Sequence, residues 1–311
     1  MIRGKPQTAP AVSAAVCESA AVLVAVPNIS EGRDLVTVGA VADAMALAPA
    51  RVLDVHDDPD HHRAVVTLAG PPGALAPALV AGAEAAAARI DLRGERGSHP
   101  HVGVLDVCPV VHLDDARRGA ACAEALAVAA DLGVAGFSVF LYGELAGGRT
   151  RADLRRGGPA ELARRVAAGE LTPDFGPRAI DPARGATLVA ARPPLLAFNL
   201  ELAPPASLQD AREIAAAVRE GGAEGLPGVR ALGLTLPARG GVAQVTCNVE
   251  DHRAVSLARL VEAVARHARV AECEVVGLPP QAAFAGFPAD LPVRNRRTLE
   301  DAARDAGITL S

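Results

Sequence analysis

Apolar runs of two periods alternate along this 311-residue chain in an order that leaves few folds open. Leu23–Val26, Val52–Val55, Val65–Leu68 and Leu105–Leu113 are Val- and Leu-rich runs of strand length, whereas Leu35–Leu47 and Leu75–Ile90 carry apolar residues at helical spacing. Asn28 and Ser30 stand where a cap for the first helix is needed. The chain order is strand, helix, strand, strand, helix, strand, with short connections. This is the split βαβ or ferredoxin-like pattern, which puts helices on one sheet face and leaves the other to pack on something. A helix over Ala116–Leu132 and a strand over Ser138–Tyr142 follow, and Arg149–Gly169 reads as an exposed, Arg-rich helical segment. A Gly/Pro-punctuated connector then runs from Pro173 to Gly185 and separates two apolar halves. The second half has strands at Ala186–Ala191, Leu195–Leu202, Val229–Leu236, Val242–Val249 and Val275–Leu278, with helices at Leu208–Glu220 and Ser256–Ala268. The expected architecture is α+β: two ferredoxin-like subdomains whose sheets face each other across a ligand groove, since pockets favour such interfaces. The expected divisions are a flexible extension over 1–20, a first subdomain over 21–185 and a second over 186–311.

Half the residues are hydrophobic but only 2% are aromatic, with no Trp, so the core has to be closely packed Ala, Val and Leu. A net charge of −5 with dispersed basic residues gives no electrostatic footprint for nucleic acid, and the aromatic shortage removes a base-stacking platform. The five cysteines, Cys17, Cys108, Cys122, Cys247 and Cys273, are odd in number and form no C-x-x-C pair, which points to a reducing cytoplasm rather than a disulfide scaffold. Arg3 and Lys5 precede an Ala/Val-rich run that superficially resembles a secretory leader, but Glu18 interrupts it. No uninterrupted apolar stretch is long enough to span a bilayer, so no membrane partner is expected.

The stretch most able to carry chemistry is Gly97-Ser98-His99-Pro100-His101-Val102-Gly103-Val104-Leu105-Asp106. Pro100 fixes its own φ and biases His99 towards an extended conformation. The Val-rich run that follows reads as a buried strand. His99 is thereby placed on a stiff loop at the lip of a sheet, where an imidazole titrating near neutrality suits proton transfer. The same residues could equally form a loop whose rings only hydrogen-bond backbone. Two other loops at strand ends could converge on it: Asn28, Ser30 and Glu31, and then His56, Asp57, Asp58, His61, His62 and Arg63. Such a set could bind an anion and move protons. It also offers imidazole and carboxylate ligands to a metal such as Zn²⁺, although no recognised ligand spacing matches and no metal is expected. No phosphate loop and no G-x-S-x-G elbow is present.

Several ordered segments resemble the glutamate formiminotransferase (formimidoyltransferase) family. They are Val26-Pro27-Asn28-Ile29-Ser30-Glu31-Gly32, Leu53-Asp54-Val55, Gly70-Pro71-Pro72, His99-Pro100 with Gly103-Val104-Leu105-Asp106-Val107-Cys108-Pro109, Leu141-Tyr142-Gly143-Glu144, Pro173-Asp174-Phe175-Gly176-Pro177, Gly185-Ala186-Thr187 and Ala197-Phe198-Asn199. The resemblance covers nearly all of the chain from about residue 22 and leaves no room for the cyclodeaminase domain of the fused animal enzyme. It implies transfer of a formimidoyl group from N-formimidoyl-L-glutamate to tetrahydrofolate in histidine breakdown, with two ferredoxin-like subdomains, folate in the groove between them, and a homodimer. The family's catalytic histidine falls on His99. Its folate-contacting stretch falls on Gly176-Pro177-Arg178-Ala179-Ile180-Asp181-Pro182-Ala183-Arg184-Gly185. Asn28 lies in the matching opening segment, and Arg63 matches a family arginine, with a carboxylate of the substrate as its expected partner. Two positions depart from the pattern: His56 replaces an acid and His101 replaces an arginine. These departures leave open a paralogue acting on another one-carbon folate such as 5-formyltetrahydrofolate, or a non-catalytic folate-binding protein.

Overall fold

The computed structural model describes residues 22–94 and 101–310, so the expected extension over 1–20 lies outside the described residues. The first layer opens with β1 (Leu23–Ala25) and β2 (Asn28–Ile29), two pieces of what would be one strand. Pro27, which has no N–H to give a ladder, lies between them. Helix α1 (Leu35–Met45), the hairpin β3 (Arg51–Asp58) and β4 (Arg63–Gly70), α2 (Leu75–Ala87), β5 (Leu105–Val111), α3 (Arg118–Val134) and β6 (Ser138–Leu141) follow. The cap of α1 is Asp34, whose carboxylate accepts the Val36 N–H at 3.0 Å. Asn28 and Ser30 are used elsewhere: Asn28 sits in the ladder, and the Ser30 hydroxyl donates to the Gly103 carbonyl at 2.8 Å.

Two short helices, α4 (Arg151–Arg155) and α5 (Gly158–Ala167), precede β7 (Ala186–Arg192). The second layer is β8 (Leu196–Leu202), α6 (Leu208–Val218), β9 (Val229–Leu236), β10 (Val242–Val249), α7 (Leu257–Ala265) and β11 (Val270–Val276), followed by β12 (Val293–Arg294) and α8 (Leu299–Asp305).

The first sheet runs β3, β4, then β1 and β2 end to end, β5, β7 and β6. The second runs β12, β11, β8, β10, β9, antiparallel except for the β12 edge. The α+β class with two sheets is thus what the chain adopts. Helices α1 to α3 bury one face of the first sheet through Leu23, Val66, Leu68, Leu79, Val128 and Leu132. Helices α6 and α7 do the same for the second through Phe198, Leu200, Val245, Ile214 and Leu260. No helix among the described residues is long and apolar enough to cross a membrane.

The expected division after Gly185 is displaced. Strand β7 does not open the second layer: it pairs in parallel with both β5 and β6 in the first sheet. The connector delivers it there, because Val139 N–H donates to Phe175 O at 3.0 Å and Val104 N–H to Arg184 O at 2.9 Å, which stitches residues 175–184 to strands of the first layer. A continuous apolar run buried on both faces, as parallel strands are, reads the same for either sheet.

The second half also returns to the first. Leu299 and Ala302 of α8 pack with Val24, Leu53 and Val111 on the first sheet's second face. The segment expected to be an exposed Arg-rich helix is likewise a cover. Leu154 of α4 and Leu162 of α5 are fully buried against Phe140 and Leu188, so only the far side of these helices meets water.

Candidate functional site

Between α4 and α8, the second face of the first sheet is left open, and the helix-free face of the second sheet lies across from it. The cleft between them holds about 520 Å³. Asn28, Arg63, Val65 and Val107 line it from the first sheet, Arg151, Arg155 and Arg156 from α4 and its end, and Ala197, Arg230, Asn248 and Glu250 from the second layer, with Arg192 at the crossing between layers. Alternation along the strands selects these residues: on β8 and β10, Phe198 and Cys247 point to the helices while Ala197 and Asn248 point to the cleft.

The lining is strongly cationic: among the described residues it holds six arginines against the single carboxylate of Glu250. Arg155 is held in a buried ion pair with Asp106, whose other oxygen accepts the Val102 N–H at 2.7 Å. This pair ties α4 to the start of β5. Burial pushes the Arg63 guanidinium below its usual range; Asp58 and Asp106 oppose that, while Arg155 and Arg151 add to it. Cations gathered in a partly desolvated space are costly, and an anionic ligand relieves the cost by accepting charge-assisted hydrogen bonds.

The loop after β2 and the loop between β3 and β4 meet one another. The Gly32 N–H points at His62 Nδ1 at 3.2 Å, and Arg33 Nε donates to Pro59 O at 3.0 Å. Glu31 Oε1 accepts the N–H groups of Gly32, Arg33 and Asp34 at 2.9, 2.7 and 3.0 Å and lies 3.2 Å from His62 Nδ1. Gly32 is required there, since a Cβ would sit 2.4 Å from Arg63 O and 2.5 Å from Asp58 O. Asp58 and His61 form a second contact at 2.5 Å. Burial pushes the Asp58 carboxyl up, but the hydrogen bonds and charge of His61, with Arg63, hold it below its usual range. Ser30, through Gly103, joins these loops to the segment that follows His99. No group of three or more His, Cys, Asp or Glu able to hold a metal ion occurs among the described residues.

Of the individual residues expected at the site, Asn28 and Arg63 line the cleft, and Asn28 Nδ2 donates to Val26 O at 3.1 Å. His56 does not line it; on edge strand β3 its Nδ1 lies 3.4 Å from Asn295 Nδ2, on the seam with the second half. His101 is partly exposed just ahead of Val102. His99 lies outside the described residues. The stretch Gly176–Gly185 contributes no lining residue to the cleft. It packs at the strand ends, where Leu92 N–H donates to Ala183 O at 3.0 Å and Val104 N–H to Arg184 O at 2.9 Å, so both segments flanking residues 95–100 are tied to its end.

The cleft arginines beyond Arg63 were not expected. The doublet Arg155-Arg156 falls in the segment that reads as exposed, and Arg192 and Arg230 carry no local signal, because strands of different layers bring them together.

Two family models match the chain: the N-terminal subdomain of the formiminotransferase domain over residues 22–192, and the formiminotransferase domain over residues 197–286. The first match ends where β7 ends and the second starts within β8, the same division the sheets show. Among curated relatives, the formimidoyltransferase-cyclodeaminase of Sus scrofa is 37% identical over 81% of this chain and 48% of its own length, so the chain spans about half of that relative. The glutamate formimidoyltransferase of Thermoplasma acidophilum is 34% identical over 83% of this chain and 88% of its own length. That of Streptococcus pyogenes is 32% identical, covering 83% and 89%.

Proposed function

The chain belongs to the formiminotransferase family, a family of one-carbon transferases, and from that premise we propose that its cleft transfers a formimidoyl group from N-formimidoyl-L-glutamate to tetrahydrofolate. The observation that carries this reading is the cationic lining. Donor and acceptor both carry carboxylates, and a cleft lined, among the described residues, by six arginines and one acid is suited to hold them together. Holding both in one geometry supplies much of the rate, because attack becomes effectively intramolecular.

The chemistry asks for proton movement and no more. The folate amine attacks the amidine carbon, giving a tetrahedral adduct. The amine loses its proton, the carbon–nitrogen bond to glutamate breaks, and the glutamate nitrogen leaves with a proton. One imidazole can take the first proton and give the second. In this reading that imidazole is His99, and Arg63 holds a donor carboxylate. Gly176–Gly185 contacts the folate near the reacting end, a role supported by its backbone bonds to Leu92 and Val104 on either side of the His99 stretch. The ferredoxin-like label for both layers belongs to the same reading. Its support is the recurring strand-helix-strand-strand-helix-strand order, with the first of the four strands between the third and fourth in each sheet.

The test is a spectrophotometric assay with both substrates, following acid conversion of the product to methenyltetrahydrofolate. Turnover is expected, and His99→Ala is expected to lower kcat by about 10²- to 10⁴-fold while tetrahydrofolate binding is kept. Folate binding without turnover would reject the donor, and an unchanged rate in His99→Ala would reject the histidine.

A further inference from the structure

Asp106, the second residue of β5, stands out of register. Asn28 of β2 pairs with Val107 and Ile29 with Leu105, so Asp106 is the extra residue of a bulge. Pairing with β7 starts one residue later, at Val107 and Leu188. A bulge re-aims the side chain it carries, and this one turns back along the chain. One carboxylate oxygen accepts the Val102 N–H at 2.7 Å, and the other pairs with the Arg155 guanidinium. The side chain is 3% exposed. Arg63 is near enough for the same charge to favour its ionised form.

Val102 follows His99 by three residues. From Val102 onwards the chain is closely tied. Val102 O accepts the Ala186 N–H at 2.8 Å, and Gly103 O accepts the Ser30 hydroxyl at 2.8 Å. Val104 donates to Arg184 O at 2.9 Å and accepts the Ser30 N–H at 3.0 Å. The Val102 N–H comes first among these groups along the chain, and a side chain holds it. A buried N–H deprived of its acceptor costs free energy, so the hold is firm. Arg155, at the end of α4, lines the cleft, and its Nε is buried without a hydrogen-bond partner among the described residues. One carboxylate thus joins the wall of the cleft to the start of the strand that follows the histidine segment.

We propose that Asp106 is a positioning residue for the transfer reaction: it holds the Val102 N–H, is itself held by Arg155, and so sets the chain leading from His99 relative to substrate bound along α4. This rests on the reading in which His99 moves the protons. Asp106 acts through Val102 rather than on the reacting atoms. Its loss therefore lowers kcat by misplacing the imidazole, and a misplacement of about 1 Å costs about 10²-fold.

Three variants separate this role from a structural one. Asp106→Ala removes the acceptor for Val102 and leaves Arg155 without its partner. Asp106→Asn keeps an acceptor oxygen and loses only the charge pair. Asp106→Ala combined with Arg155→Met removes both charges and still lacks the acceptor. Steady-state kinetics with N-formimidoyl-L-glutamate and tetrahydrofolate are read beside urea midpoints. Asp106→Ala is expected to lower kcat about 10²-fold, with KM for both substrates within about threefold of the parent. Asp106→Asn should recover at least about tenfold of that loss, because Val102 is still held. The double variant should be more stable than Asp106→Ala, with no buried charge left unpaired, yet regain none of its kcat. A kcat that follows the urea midpoint across the series, or Asp106→Asn as slow as Asp106→Ala, overturns the proposal. If Asp106→Ala does not fold, the double variant set against Asp106→Asn decides. A parent without turnover overturns the functional reading and this one with it, whereas a parent with turnover and an unimpaired Asp106→Ala overturns this one alone.

Discussion

Asp58 shows how one side chain is set by what folds around it. On the tip of the β3–β4 hairpin its carboxylate meets the His61 imidazole at 2.5 Å and receives the His61 N–H at 2.9 Å. Burial alone would raise its pKa, but His61 and Arg63 win, so the folded value lies below the unfolded one. A carboxylate lowered on folding stabilises the native state above its unfolded pKa and loses that contribution as pH falls through the folded value. Asp58→Asn is therefore expected to be less stable than the parent at pH 7, with the gap closing below about pH 4, read from urea midpoints at each pH. The polar character of this loop was legible from His56 to His62. The assignment of partners was not, because Gly32, Pro59 and His62 meet only when two loops distant in sequence pack together.

At the scale of elements, α2 is a helix whose own sequence gives it no cap: Ala74 stands at its N-cap and makes no side-chain bond. The missing acceptor comes from α3. Glu124, 4% exposed, accepts the N–H of Gly73 at 2.5 Å, of Leu75 at 3.0 Å and of Ala76 at 3.2 Å. Three orphan donors at a helix start are thus satisfied by one carboxylate, which the helix dipole also favours. Glu124→Ala should cost about 2–4 kcal/mol and Glu124→Gln clearly less, measured by urea denaturation. Periodicity located α2 and α3 without difficulty, but a Glu in an Ala-rich helix gives no sign that it serves another helix. The same limit applied to α4, whose arginines read as a solvated face until Leu154 and the Arg155–Asp106 pair fixed it on the sheet.

Over the whole molecule, the two layers are not independent. Strand β7 crosses from the connector into the first sheet, and α8, from the far end of the chain, closes the same sheet's second face. Arg297 of the segment before α8 donates to Leu53 O at 3.2 Å and faces Asp54 at 3.8 Å. Leu299, 3% exposed, is the apolar anchor of that contact. Leu299→Ala should cost about 2–4 kcal/mol, and because Leu299 joins the layers in the parent, both layers of the parent should unfold in one transition by fluorescence-independent probes such as far-UV circular dichroism and hydrogen exchange. Two resolved transitions would show that the layers fold separately.

By itself the sequence determined the period of each segment, hence the order of strands and helices, the aliphatic core and the two-layer α+β class, because burial acts on local patterns of apolar residues. It also carried the family resemblance, which rests on residues in order. The tertiary structure alone decided which sheet β7 joins, what α4 and α8 cover, and that Arg63, Arg151, Arg192 and Arg230 share one cleft. Those outcomes depend on long-range pairing and on the desolvation of charges, and neither leaves a periodic mark along a single chain.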